Sequence, residues 1–229
     1  MVESLSNTIR LAPGDYGELM KALIKVISKD TNVMLVGQSA KIVAQIASGL
    51  RKNFQPFASE TIKACIEKFK EKKPTVLVTV RSAADAALKA VSILAFIFIF
   101  YELETYGLFI QTTLEAVQED LIVGTSNKVP GVRAETCLYI GRAFANMTVT
   151  TLNKKLLKTF IGPLIKCSTD TSMEVREASF SALGTAMFVV TEKNIMPFLA
   201  DVDNIRLGRI KEFYEKVIEE NKKGNSSVI

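Results

Sequence analysis

Four segments of the chain line up on one another, and their spacing constrains the fold more than any other feature. They are Val33-MLVGQSAKIV-Ala44, Val76-LVTVRSAADA-Ala87, Val132-RAETCLYIGR-Ala143 and Val175-REASFSALGT-Ala186. Each opens with Val just after a polar turn and carries Ala eleven residues later. The seventh residue after the Val is Ala40, Ala83 or Ala182 in three of them and Tyr139 in the fourth. Val33 to Val76 and Val132 to Val175 are both 43 residues. Self-similarity at a period of about 20–50 residues is the mark of a repeat architecture. Around these segments apolar residues recur at three- and four-residue spacing: Leu19, Leu23, Ile24, Val26 and Ile27, then Leu35, Ile42, Val43, Ile46 and Leu50, then Ile62, Cys65, Ile66 and Phe69. That spacing makes helical faces. No run alternates in the manner of a strand. The expectation is an all-α chain of nine to eleven helices.

A period near 43 residues falls within the range of about 40–47 of HEAT and armadillo repeats. Each unit is then a helix pair. The first helix ends in a polar turn (KDTN, KEKKPT, TSNKVPG, STDTSME) and the second starts near the Val. Such pairs cannot bury their apolar faces alone, so they stack into a solenoid with one continuous core. Hydrophobic residues, 48% of the 229, are enough to build it. The chain has no His and no glycine-rich phosphate loop. The usual general base, Ser-His and Cys-His nucleophile pairs and most catalytic zinc sites are therefore missing, so we expect no enzyme, no cofactor and no metal. Cys65, Cys137 and Cys167 lie far apart and read as reduced core thiols of a cytoplasmic protein. The net charge of +5 suits an acidic partner. No stretch interleaves aromatic and basic residues as nucleic-acid binding would.

One interval breaks the period. Val76 to Val132 is 56 residues and contains Val91-SILAFIFIFYELETYGLFI-Gln111. Its most apolar part is shorter than the roughly 20 residues a membrane helix needs, so no membrane partner is expected. A buried helix or an apolar flap is one reading. The other starts from codons. Val-Ser can be written GTAAGT, an intron start, and Gln can be written CAG, an intron end. Between them the Phe/Ile/Tyr/Leu richness fits AT-rich DNA read in frame. On this hypothesis 91–111 is a translated intron, and its removal joins Ala90 to Thr112 in a smooth helical connection.

The turn sequences carry a resemblance. LAPGDYGEL, KDTNVMLV, EKFKEKKPTV, SNKVPGVRAET, LNKKLLK, EVREASFSALGTAM and MPFLADVD look like a TOG domain, and most resemble the second TOG domain of the mini spindles/chTOG family of microtubule polymerases. The likeness spans 1–218 apart from 91–111, with 219–229 left as a polar tail or linker. It implies a flat paddle of about five to six HEAT helix pairs whose intra-pair turns grip the soluble αβ-tubulin dimer. Early turns would face β-tubulin and later ones α-tubulin, in a monomeric module that serves growing microtubule plus ends at the spindle and centrosome. Carried over residue by residue, the contacts are Thr31, Asn32 and Val33; Lys72, Lys73 and Pro74; Asn127, Lys128 and Arg133; and Asp170, Met173 and Arg176.

Each of these residues also has a local reading. Arg133 and Arg176 both follow the turn Val and would brace an Asp of a neighbouring turn. Asn32 and Asp170 would cap helices. Val33 would be core, Lys72 and Lys73 a solvated helix end, and Pro74 a helix start. The family carries a Trp in the first repeat's turn, and this chain has none. The resemblance starts near Leu5, within the first repeat, so without that turn and its Trp weak tubulin binding, or none, is the expectation. The competing function is a generic HEAT scaffold that holds a peptide or adaptor in a groove. For 91–111, transcript sequencing across Ala90–Thr112 is expected to show message lacking the segment; abundant message containing it would contradict the intron reading.

Overall fold

The computed structural model describes residues 10–12, 14–90 and 102–226. Expectations placed on Leu5, Pro13, Val91 to Tyr101 and the last three residues lie outside these. The described residues form ten α-helical segments and no strand. They are α1 (Gly17–Lys29), α2 (Val33–Leu50), α3 (Gln55–Lys68), α4 (Pro74–Lys89), α5 (Glu102–Thr125), α6 (Pro130–Phe144), α7 (Lys154–Cys167), α8 (Met173–Val190), the short α9 (Glu192–Ile195) and α10 (Asn204–Ser226). Local chemistry sets several starts. Asn32 caps α2, its side chain accepting from the Met34 and Leu35 N–H groups, and Asn153 caps α7 in the same way on Leu156. Pro56, Pro74 and Pro130 occupy first-turn positions, where the missing N–H costs nothing.

The chain divides into two compact units, Met1–Asp120 and Leu121–Ile229. In the first, α1 pairs with α2 and α3 with α4; α2 also packs on α4 and α1 on α3. Lys63 on α3 meets Asp120 on α5 at 3.3 Å, and Leu114 and Val117 of α5 are buried. In the second, α7 pairs with α8, while α6, α8 and α10 stack in sequence. Phe144 and Phe160 meet edge-on with centroids 5.9 Å apart, and Ser179 donates to the Leu164 carbonyl at 2.6 Å.

The four repeat helices bury the same comb of positions, spaced four, three and four. It runs Val36, Ala40, Val43 and Ala47 in α2; Val76, Val80, Ala83 and Ala87 in α4; Val132, Thr136, Tyr139 and Ala143 in α6; and Val175, Ser179, Ala182 and Ala186 in α8. This corrects one register. In α2 the equivalent of Val76 is Val36, not Val33, and the first interval is 40 residues. Val33 is the first residue of α2 and only half-buried, because the Asn32 cap starts this helix earlier relative to its packed face. The same frame leaves Leu19, Leu35 and Ile42 exposed, although their spacing had placed them on the apolar face. The polar stretch from 219, expected as a tail, continues α10 to Ser226, with 219–223 exposed.

All three thiols are free and buried. Burial pushes Cys65 up to about 12. Cys137 is raised well above the ordinary thiol range by its hydrogen bond to Cys167 and by burial, and Cys167 in turn donates to the Thr125 carbonyl at 3.4 Å. The same bond from Cys137 lowers Cys167; Cys65 and Cys137 are inert core groups.

Two glycines let the second-unit helices approach. A Cβ on Gly141 would stand 3.1 Å from the Ala182 Cα, and one on Gly184 would stand 2.8 Å from both the Phe213 Cβ and the Tyr214 N of α10. Gly162 has nothing within 4 Å of such an atom. We therefore expect Gly184→Ala to destabilise the protein by about 1–3 kcal/mol. Gly162→Ala should stabilise it by up to about 1 kcal/mol. Urea denaturation of both variants checks this; equal effects would contradict the packing described.

Candidate functional site

The residues singled out from sequence fall into two groups, one in each unit, both at the turns inside helix pairs. In the first unit the α1–α2 turn is built on Asp30, whose carboxylate accepts the Asn32 N–H at 2.7 Å. The α3–α4 turn is built on Glu71, which accepts the Lys72 and Lys73 N–H groups at 2.9 and 3.0 Å. Two contacts tie one turn to the other: Lys68, nearly buried, donates to the Asp30 carbonyl at 2.7 Å, and the Lys73 ammonium approaches the Met34 sulfur at 3.5 Å. Thr31, Asn32, Lys72, Lys73 and Pro74 are all exposed, with Val33 half-buried beside them. Asn32 does cap its helix, as its local reading had it.

In the second unit the α5–α6 and α7–α8 turns are clamped. Arg133 Nε and Nη2 donate to the two carboxylate oxygens of Asp170 at 2.7 and 2.8 Å, and its Nη1 donates to the Asn127 carbonyl at 2.7 Å. The side chains of Arg133 and Asp170 are only 15% and 13% exposed. Arg176 holds its own turn, donating to the Asp170 and Thr171 carbonyls at 2.8 and 3.0 Å. Both arginines therefore brace. Asp170 does not cap α8, whose cap position is Ser172; its carboxylate accepts the Ser172 N–H and the Arg133 fork instead. Lys128 and Met173 remain outward, and Asn127 is half-buried.

A third turn in this unit went unread in the sequence. Asp203 accepts the Arg206 N–H at 2.8 Å and Arg206 Nε at 2.6 Å, and Arg206 Nη1 reaches Ser168 of the α7–α8 turn at 3.2 Å. The Asp-x-x-Arg spacing at the start of α10 was the available signal. Met34 and Lys68 were missed because nothing in their local sequence marks a contact made 38 or 39 residues away.

The Arg133 fork holds the Asp170 carboxyl below the ordinary carboxylate range against the effect of burial, and Asp170 in turn raises Arg133. Because the folded value is depressed, the clamp's contribution is full above the unfolded carboxylate's value of about 4 and is lost as pH falls through the lower folded value. Asp170→Ala should cost about 1–3 kcal/mol near pH 7. The wild-type advantage should shrink below about pH 4. Urea midpoints of both proteins across pH test this; an advantage that persists undiminished in acid would contradict it.

Comparison with known proteins supplies a family. A HEAT repeat model matches residues 160–190, covering most of α7 and α8. The chain is 40% identical to Drosophila melanogaster "Protein mini spindles" over 93% of its own length, and 36% identical to Caenorhabditis elegans "Zygote defective protein 9" over 90%. It spans only 9% and 13% of those two proteins. Among solved structures, one from work on microtubule plus-end tracking by XMAP215, CLIP-170 and EB1 matches with a TM-score of 0.78 at 40% identity, covering 90% of this chain and 77% of that one. Another, from work on tubulin recruitment by microtubule polymerases with TOG-domain arrays, matches with a TM-score of 0.70 at 27% identity, covering 93% of this chain and 40% of that one. With its stacked helix pairs, its clamped turns and these matches, the chain is an all-α HEAT-repeat solenoid and belongs to the TOG domains of the chTOG/XMAP215 family.

Proposed function

We propose that this chain is a non-catalytic module that binds soluble αβ-tubulin through its intra-pair turns, as part of a microtubule plus-end polymerase of the cytoplasm, spindle and centrosome. The observation that carries the reading is the bracing of the turns. In each unit, hydrogen bonds tie neighbouring turns into one pre-ordered edge: Lys68 to Asp30 in the first, Arg133 to Asp170 and Arg206 to Ser168 in the second. Ordering these loops before binding removes an entropic cost from association. The cations left outward, Lys72, Lys73 and Lys128, are exposed, and among the described residues no side chain pairs with the Lys72 or Lys128 ammonium. Such charge raises the association rate with an acidic protein. Relatives named for the spindle, the spindle pole body and the centrosome support the location.

The turn geometry supports a division of roles within the proposed site. Thr31, Asn32, Lys72, Lys73, Pro74, Lys128 and Met173 are the contact candidates. Val33 stays beside them at the helix start. Asn127, Arg133, Asp170 and Arg176 hold the edge in shape. A second reading, a scaffold that takes a peptide, has one observation in its favour. A groove of about 440 Å³ lies in the second unit among Val149, Leu152, Leu157, Val190 and Phe198, with Lys154 and Lys193 at its rim. It sits at the connector ends of the helices, away from the turns.

Size-exclusion chromatography with soluble αβ-tubulin distinguishes the two. The chain should co-elute at low salt and lose the complex as salt rises, since exposed charges are screened over about 10 Å at 0.1 M. Lys72→Glu with Lys73→Glu should abolish co-elution while circular dichroism is unchanged. Undiminished binding by that double variant would overturn the turn-edge reading.

A further inference from the structure

Three of the second helices begin with an exposed apolar side chain at the same place. Met34 is the second residue of α2 and 60% exposed, Met173 is the first of α8 and 67% exposed, and Ile205 is the second of α10 and 83% exposed. Solitary apolar residues on a surface are ordinary; recurrence at one structural position, always in the first turn after an intra-pair turn, is not. Ile205 stands out among them. It is the most exposed of the large apolar side chains in the described residues. A β-branched residue is a weak helix former, so helix propensity does not account for it there.

Its neighbours do have a use. On one side Asp203 accepts from the Arg206 N–H and guanidinium, which depresses the Asp203 carboxyl, the backbone bond contributing most. On the other, Arg206 reaches across to Ser168, which is buried in the preceding turn. The backbone that presents Ile205 is thus pinned to the turn that presents Met173. Side chains held outward on a pre-ordered backbone lose little freedom on binding, and an exposed apolar one there offers area for a partner to bury.

We infer that Ile205 is an apolar contact residue for tubulin, and that the binding edge of the second unit extends over a third turn, from 199 to 206. The inference rests on the proposed tubulin-binding reading and adds to it a residue and a turn that the resemblance had not assigned. Binding at the second unit's edge is mixed: the outward Lys128 attracts, and Met173 and Ile205 supply apolar area that salt does not screen.

The test measures the affinity of the full chain for fluorescently labelled αβ-tubulin, for wild type and three variants. Ile205→Ser removes the apolar side chain without adding charge. Val149→Ser does the same to an exposed apolar residue on the α6–α7 connector, at the other end of α6 from its turn. Lys72→Glu with Lys73→Glu reports on the underlying reading. Urea midpoints equal to wild type for both serine variants establish that each is folded. The expected result is a five- to tenfold weakening for Ile205→Ser, a typical cost for truncating an interface anchor of about that size. Val149→Ser should change affinity less than twofold. If the double lysine variant loses binding while Ile205→Ser binds as wild type, or if both serine variants weaken alike, the inference about Ile205 is overturned and the tubulin reading stands. If wild type and the lysine variant bind alike, or neither binds, the tubulin reading itself falls.

Discussion

The helices at the heart of the second unit can stack only because their backbones come almost into contact. In the second unit Gly141 lies against Ala182, and Gly184 against the backbone of α10 at Phe213 and Tyr214. A methyl group at either place would meet main-chain atoms that cannot move aside. Everything at the edge follows from this closeness. It brings the turn before α8 within reach of Arg133 on α6, and the turn before α10 within reach of Ser168. Hydrogen bonds of 2.7 to 3.2 Å between successive turns are the consequence of helices stacked at that separation. The core is thus also the ruler that spaces the surface.

The two units reach a braced edge by different chemistry. In the second, an Arg one residue after the buried Val forks onto the Asp of the next turn. In the first the residues at that place are Gly37 and Leu77, which cannot do so. There the bridging falls to Lys68, from the end of α3, donating to a backbone carbonyl. A fork onto a carboxylate is directional and charge-assisted, whereas an ammonium on a carbonyl fixes less. The second unit's turns should therefore be the stiffer. The first unit leaves more cationic charge outward, at Lys72 and Lys73, and is suited to drawing a partner in.

Much of this was legible in the sequence, and particular residues show why the rest was not. The buried Val76, Val132 and Val175 announced the repeat, because a comb spaced four, three and four has to face a core. Val33 misled because the α2 segment contains Val at both 33 and 36, and only packing decides which is inward. Asn32 was readable as a cap from its type and place. The bracing role of Arg133 was one of two open readings, and only the geometry, with both guanidinium edges occupied, brings it out. Lys68, Met34 and the Arg206–Ser168 link were illegible: they join residues 38 or 39 positions apart through helix stacking, and no local pattern encodes such a distance. Asp203 and Arg206 could have been seen, since Asp three residues before Arg at a helix start pairs within one turn.

The account stands on the claim that partner binding happens at the intra-pair turns and not at the connectors. Hydrogen–deuterium exchange of the chain with and without αβ-tubulin measures this directly, turn by turn. The account predicts slower exchange in the presence of tubulin at 30–35, 70–75, 126–130, 168–174 and 199–206, with 145–154 and 190–198 unchanged. Protection confined to the latter two segments, which line the groove around Val149 and Phe198, would contradict it and would make the groove the binding surface.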